Sequence, residues 1–234
     1  MTKPLNGQHA LITGASRGIG VAVAIALAEA GATLSLTARN GTEIAEVATA
    51  LAKKHGVAAA GYAADATNSG QVEETIRNVT AAQGAPTILV NNAGGANSLP
   101  FMKETRAQWE RTLTLNLTST FVAMQAVLPA MLDAGYGRII NMASTAGLKG
   151  YAYVSSYCAA KHGVIGLTRA TALETARKGV TVNAVCPGYT DTPMVADAVN
   201  KIMKKSGRSR EETIAELAAS NPQRRLLDPP EVAA

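Results

Sequence analysis

Aromatic residues make up only 4% of this 234-residue sequence, with a single tryptophan and two phenylalanines. A core must therefore be packed from alanine, valine, leucine and isoleucine, which the 47% hydrophobic content supplies. There are two cysteines, Cys158 and Cys186, far apart and in no metal-ligand or redox spacing. This excludes a cysteine-built metal centre and leaves both as small core residues. No long apolar run is present: "IGVAVAIALA" (19–28) reaches about half of what a membrane span needs. The opening "MTKPLNGQHALITG" carries no basic stretch, apolar run and small-residue cleavage site in succession, so no secretory signal is read. Repeats, low-complexity tracts and linker-like shifts of composition are missing too. These absences leave one soluble, cytoplasmic domain, 1–234, with no metal and no membrane.

The charge that is present has a net value of +5, which attracts anions without naming one. Its densest cluster is "KIMKKSGRSR" (201–210). No aromatic residues interleave with that cluster, so nucleic acid is not expected as a partner. Either it is a solvated helix face, or it meets a phosphate-bearing substrate.

Short apolar or β-branched runs alternate with longer stretches of helical period, the pattern of a parallel sheet covered on both faces. Strands are predicted at 9–13, 33–37, 57–64, 87–91, 137–143 and 180–186, and long helices at about 105–133 and 155–178. Gly31, Gly56, Gly84 and Gly179 stand just before the second, third, fourth and sixth strands, where helices end on glycine. The fold class expected is α/β, a doubly wound parallel sheet of Rossmann type with helices on both faces. After the sixth strand, about 190–220 reads as two polar helical segments with no strand between them. An excursion leaving the carboxyl end of a strand is placed to act as a substrate lid.

The first strand runs into "TGASRGIG" (13–20) and then an apolar helix. Glycines at 14, 18 and 20 allow a sharp turn and close approach, and the helix N-terminus offers unpaired N–H groups to a diphosphate. The same spacing would also serve a merely tight turn. The second strand ends in "SLTARN", with Arg39 where a 2′-hydroxyl would call for an acid. Together with Arg17 it favours a 2′-phosphate, and hence NADP(H) over NAD(H). Asp65, after the third strand, either accepts from an adenine amino group or caps the next turn. "NNAGG" (91–95), after the fourth, suits a backbone passing beneath a ribose. Ser144 ends the fifth strand, and Tyr157 and Lys161 follow four residues apart in "YCAAK", on one helix face.

The ordered set "TGASRGIG", "NNAG", Asn116 in "TLNLTST", Ser144, "YCAAK" and "PGYTDTPM" (187–194) resembles the short-chain dehydrogenase/reductase family over nearly the whole chain. The resemblance implies a catalytic set of Asn116, Ser144, Tyr157 and Lys161. Tyr157 would exchange a proton with a substrate oxygen while hydride moves to or from carbon, Lys161 lowering its pKa and holding nicotinamide ribose hydroxyls. Ser144 would hydrogen-bond the substrate oxygen, and Asn116 would hold a water connecting Lys161 to solvent. It further implies cofactor contacts from Gly14, Ser16, Arg17, Gly18, Ile19, Gly20, Arg39, Asp65, Ala66, Asn92, Ala93 and Gly94. Tyr157, Lys161, Pro187, Gly188, Thr190 and Thr192 complete that set.

Within the family the look is nearest to 3-oxoacyl thioester reductases and 3-hydroxybutyrate dehydrogenases. Ala146, Val154 and Tyr189 stand where the free-acid enzymes carry His, Lys and Trp. The expected substrate is thus a 3-oxoacyl or 3-hydroxyacyl thioester of coenzyme A or a carrier protein. The runner-up is another secondary alcohol: a 3-hydroxy acid, polyketide, sugar or steroid. A remote alternative is a nucleotide-binding sensor without catalysis. Relatives assemble as homotetramers or homodimers and continue, past the equivalent of "LLDPPEVAA", through a helix, a seventh strand and a tail. A longer natural polypeptide is the corresponding expectation.

Overall fold

The computed structural model describes residues 3–234. Six parallel strands form one sheet: β1 His9–Thr13, β2 Thr33–Ala38, β3 Ala59–Ala63, β4 Ile88–Asn91, β5 Gly137–Met142 and β6 Val180–Val185. Their spatial order is β3-β2-β1-β4-β5-β6. The chain winds outward in one direction from β1 and then in the other from β4, so the two halves part between these strands. Beyond their carboxyl ends lies the crevice where open sheets of this kind bind ligands.

Strands of a sheet buried on both faces read as unbroken apolar runs, because alternate side chains enter opposite cores. Along β1, Ile12 enters one core with Leu34, Leu36 and Val90, covered by α1 (Ile19–Glu29) and α2 (Gly41–His55). Its neighbour Leu11 enters the other with Leu89, Ile139 and Val182. That face is covered by α3 (Ser69–Gln83), α5 (Ser119–Asp133) and α6 (Ser155–Thr175). Small residues permit close helix contact: Ala22, Ala24 and Ala28 of α1 are all buried. The aromatic scarcity is thereby accounted for.

The expected strands are all present, with ends differing by one or two residues. The glycines expected at helix ends, Gly31, Gly56, Gly84 and Gly179, all have positive φ. The single long helix expected at 105–133 is instead α4 (Arg106–Leu113) and α5, joined by a π-helical turn, Thr114–Thr118. By length and composition this helical stretch could cross a membrane. Here Val122, Ala123, Val127 and Met131 spend its apolar face on the sheet. After β6 come α7 (Pro193–Ser206) and α8 (Arg210–Ala218), the two segments expected there. A short α9 (Pro229–Ala233) was not anticipated; it begins at a capping box of Asp228 and Glu231 and packs on α1.

Candidate active site

The glycine loop between β1 and α1 is held by backbone that side chains could not replace. A methyl group on Gly20 would overlap the Gly14 carbonyl oxygen, and one on Gly14 would stand 2.8 Å from Ala93 Cα. Gly18, at φ 60° and ψ −134°, is the N-cap of α1 and supplies no side-chain cap. The first N–H groups of α1 are therefore left facing the crevice with the positive end of the helix dipole. Asn92 fastens the loop from β4, its Nδ2 donating to the carbonyls of Thr13 (3.0 Å) and Gly14 (2.9 Å). Thr13 Oγ1 accepts from Asn92 N and Ala93 N, both at 3.0 Å. Ser16 and Ile19 are half-buried, while Arg17 and Arg39 are exposed. Neither arginine belongs to an ion pair among the described residues.

Asp65 caps the turn that follows it. Its Oδ1 accepts from both the backbone N–H and the hydroxyl of Thr67, each at 2.8 Å, so it shapes its own turn, with Ala66 between. These bonds hold its carboxyl below the usual range, with Arg39 and Arg111 adding to the effect. Oδ2 is left for a ligand.

At the other side of the crevice, Ser144 lies two residues past β5 in extended backbone and its hydroxyl accepts from Ala146 N at 3.1 Å. The following turn is pressed against α6: a methyl on Gly147 would lie 2.6 Å from the Lys161 carbonyl oxygen. This contact brings Ser144 to Tyr157, whose ionised form the Ser144 hydroxyl favours. One turn on, Lys161 is 4% exposed; its Nζ donates to Met142 O at 2.7 Å and stands 5.6 Å from the Tyr157 ring centre. Gly94 lies against the same ammonium and against Asn116. The structure thus joins Asn116, Ser144, Tyr157 and Lys161 in one place.

Burial pushes Tyr157 up to about 12, with the Ser144 hydroxyl partly opposing. Burial also brings Lys161 down to about 8. The Asn116 side chain is bonded to backbone: Oδ1 accepts from Gly95 N, and Nδ2 donates to Gly95 O and Thr112 O. It straps the loop after β4 to the π-helical turn.

Thr190 and Thr192 occupy the loop after β6. Thr192 caps α7 and touches the glycine loop, 3.2 Å from where a methyl on Gly18 would stand. Pro187 O accepts from Thr145 N, tying this loop to the Ser144 turn. Lys149, Tyr151, Tyr153 and Tyr189 are the residues the sequence offers as candidates to line the cleft, and Tyr151, Tyr189 and Lys149 come together beside the phenol. Tyr151 and Tyr189 meet edge to face at 6.1 Å, Tyr151 OH bonds Thr145 Oγ1 at 3.0 Å, and Lys149 Nζ lies 5.1 Å from the Tyr151 ring. Tyr153 is exposed, at φ 67°. Unforeseen was Asn221, buried beneath Gly188 and Tyr189. A lone Asn-Pro pair, 27 residues past the last motif at Met194, gives no signal for it.

The residues fit a dinucleotide. An uncapped helix start, a glycine cradle with no room for side chains and a buried ammonium over the sheet edge offer donors for phosphate and ribose oxygens. The family model for short chain dehydrogenases matches residues 8–202. The chain belongs to the short-chain dehydrogenase family. Like the family's other members it is an oxidoreductase that binds a nicotinamide cofactor and acts on hydroxyl or keto groups.

This short-chain dehydrogenase is 38% identical over 231 residues to a D-beta-hydroxybutyrate dehydrogenase of Cupriavidus necator, covering 98% of this chain and 89% of that one. It is 40% identical over 229 residues to the 3-oxoacyl-[acyl-carrier-protein] reductase FabG of Vibrio cholerae, covering 98% and 88%. A crystal structure of an actinorhodin polyketide ketoreductase variant with NADPH matches at a TM-score of 0.92 and 36% identity, covering 100% of this chain and 89% of that one. An L-sorbose reductase from Gluconobacter frateurii, complexed with NADPH and L-sorbose, matches over the same shares at 0.92 and 28%.

Proposed function

We propose that this short-chain dehydrogenase is a cytoplasmic, NADP(H)-dependent reductase of 3-oxoacyl thioesters, with Ser144, Tyr157 and Lys161 as its catalytic residues and Asn116 positioning the cofactor loop. The observation that carries this reading is the convergence of the Tyr157 phenol, the Ser144 hydroxyl and the Lys161 ammonium beside a glycine-built cradle. When bound, the reduced nicotinamide supplies hydride to the carbonyl carbon. The chain's own part is to handle the oxygen. With the Ala146 N–H held on its acceptor side, the Ser144 hydroxyl turns its one O–H from the Tyr157 phenol to the carbonyl oxygen. Tyr157, kept neutral by burial, delivers the proton. Lys161 spends one N–H on Met142 and has two for the ribose hydroxyls.

Arg17 and Arg39 support the 2′-phosphate preference, being exposed cations at the ends of the glycine loop and β2, with no acid at the end of β2. The helices α7 and α8 serve as the lid. Their basic residues, Lys201, Lys204 and Lys205 among them, suit a phosphate-bearing thioester carrier or an acidic carrier protein. Trp109, Phe121 and Leu173 remain exposed on α4, α5 and α6, and we place a homodimer or homotetramer contact there.

Mixing the protein with NADPH and acetoacetyl thioester, and following the loss of reduced-cofactor absorbance, tests the reading. Turnover with the thioester above that with ring ketones and ketoses supports it. Turnover confined to those other ketones favours the second reading, which the aromatic wall of Tyr151 and Tyr189 suits. Cofactor binding with no turnover across the panel makes the protein a sensor.

A further inference from the structure

The two ends of the α7–α8 excursion meet at one side chain. Asn221 is 3% exposed and makes three hydrogen bonds beyond its own turn. Its Oδ1 accepts from Tyr189 N at 2.9 Å, and its Nδ2 donates to Tyr189 O at 2.8 Å and Arg225 O at 2.7 Å. Gly188 is so close that any methyl group placed on it would overlap Asn221 Oδ1. Around this point Thr190 pairs with Leu227 as a parallel bridge, Leu227 N donates to Tyr189 O, and Asp191 N donates to Leu227 O. The excursion is thus closed at its base by a miniature sheet whose central pin is an amide side chain.

Tyr189, the residue gripped on both its N–H and its C=O, is the one that reaches the reaction centre. Its ring meets Tyr151, and its phenol acts electrostatically on Tyr157. Tyr151 in turn bonds Thr145, the neighbour of Ser144. A chain of contacts runs from Asn221 through Tyr189 and Tyr151 to the turn that presents Ser144. Resting on the carbonyl-reductase reading above, we propose that Asn221 is a positioning residue. It sets the place of the Tyr189 ring, and through it the shape of the pocket that accepts the carbonyl substrate. The matching feature of the chain is Gly188, which is glycine because the amide occupies the space a side chain would need.

Two measurements test this. In a double-mutant cycle followed by thermal unfolding, Gly188→Ala is costly in the Asn221 background and mild in an Asn221→Ala background, where the obstructing amide is gone. A Gly188→Ala protein that fails to fold while the double variant folds is the extreme form of the same result. Equal cost of Gly188→Ala in both backgrounds overturns the clamp. In steady-state kinetics, Asn221→Ala raises KM for the carbonyl substrate about tenfold, the scale of one buried hydrogen-bond set lost, with a smaller change in KM for NADPH. That KM effect is absent when Tyr189→Ala is already present. A melting temperature and active fraction that fall with both KM values unmoved, or a KM effect that persists without the Tyr189 ring, refutes the positioning role. If the unaltered protein turns over no carbonyl, the functional reading fails, yet the unfolding cycle still decides whether Asn221 is the pin.

Discussion

Tyr157 and Lys161 show why proximity alone does not set an acidity. The two are one helical turn apart, Lys161 buried and Tyr157 half-buried, and desolvation moves the phenol up to about 12 and the amine down to about 8. At neutral pH the phenol is therefore a proton donor and only rarely an acceptor. The sign of the consequence follows directly. Carbonyl reduction needs the protonated form, present throughout the range below 12, so its kcat stays nearly flat from pH 6 to 7.5 as far as this group is concerned. Alcohol oxidation needs the phenolate, so its kcat rises by about tenfold per pH unit while pH remains below the phenol's pKa. Paired pH profiles in the two directions check this; an oxidation rate independent of pH contradicts it. Arg39 carries a second prediction at this scale. Arg39→Ala raises KM for NADPH by about tenfold or more, the loss of a charge-assisted contact, and leaves KM for NADH within about twofold. Initial rates with both cofactors read it directly.

Elements bring these residues together through backbone contacts that tolerate no side chain. Gly20 is the second residue of α1, where a methyl would overlap the Gly14 carbonyl. Gly20→Ala is expected to weaken NADPH binding at least tenfold and lower the melting temperature, since only backbone could yield. Unchanged binding by fluorescence titration would show the loop to be looser than described. At the opposite, amino end of the sheet, β1 and β2 carry a polar network inside the apolar layer. His9 meets Gly84 O through Nδ1 and Ser35 Oγ through Nε2, both at 2.9 Å, and Ser35 donates to Gln83. Burial lowers the pKa of His9 from 6.5, with the Gly84 and Ala85 carbonyls opposing. Below about pH 6.5 the unfolded chain binds a proton that the fold resists, so stability present above 6.5 is lost progressively as pH falls toward the lowered value. The melting temperature of the unaltered protein should drop from pH 7 to 5 more than that of His9→Gln, which has no titrating ring. Equal drops would mean that other groups carry the acid sensitivity.

Over the whole molecule, the fold was readable because a parallel sheet writes itself as apolar runs separated by helical period, and "HALIT", "TILVN" and "GRIINMA" do so plainly. Gly14, Ser144, Tyr157 and Lys161 were readable for a different reason: each occupies the first turn beyond a carboxyl strand end or the face of one helix, and so lies near its neighbours both in sequence motif and in space. What escaped reading depends on distant contacts. Asn221 meets Tyr189 across thirty-two residues, His9 meets Gly84 across seventy-five, and no local pattern encodes either meeting. The π-helical turn at Thr114–Thr118 was hidden because its apolar spacing resembles that of an ordinary helix. The strength of the desolvation at Tyr157 is likewise not written in Tyr-x-x-x-Lys, which reports spacing alone.

Carbonyl reduction at this site depends on one proton donor, and replacing it by phenylalanine is the most direct measurement. Tyr157→Phe removes a single oxygen and keeps the ring that packs near Lys161. With NADPH and acetoacetyl thioester, turnover is expected to fall by about 10²-fold or more, the usual worth of a general acid, while the dissociation constant for NADPH stays within a few-fold. Turnover at the rate of the unaltered protein would contradict the account and remove Tyr157 from the reaction.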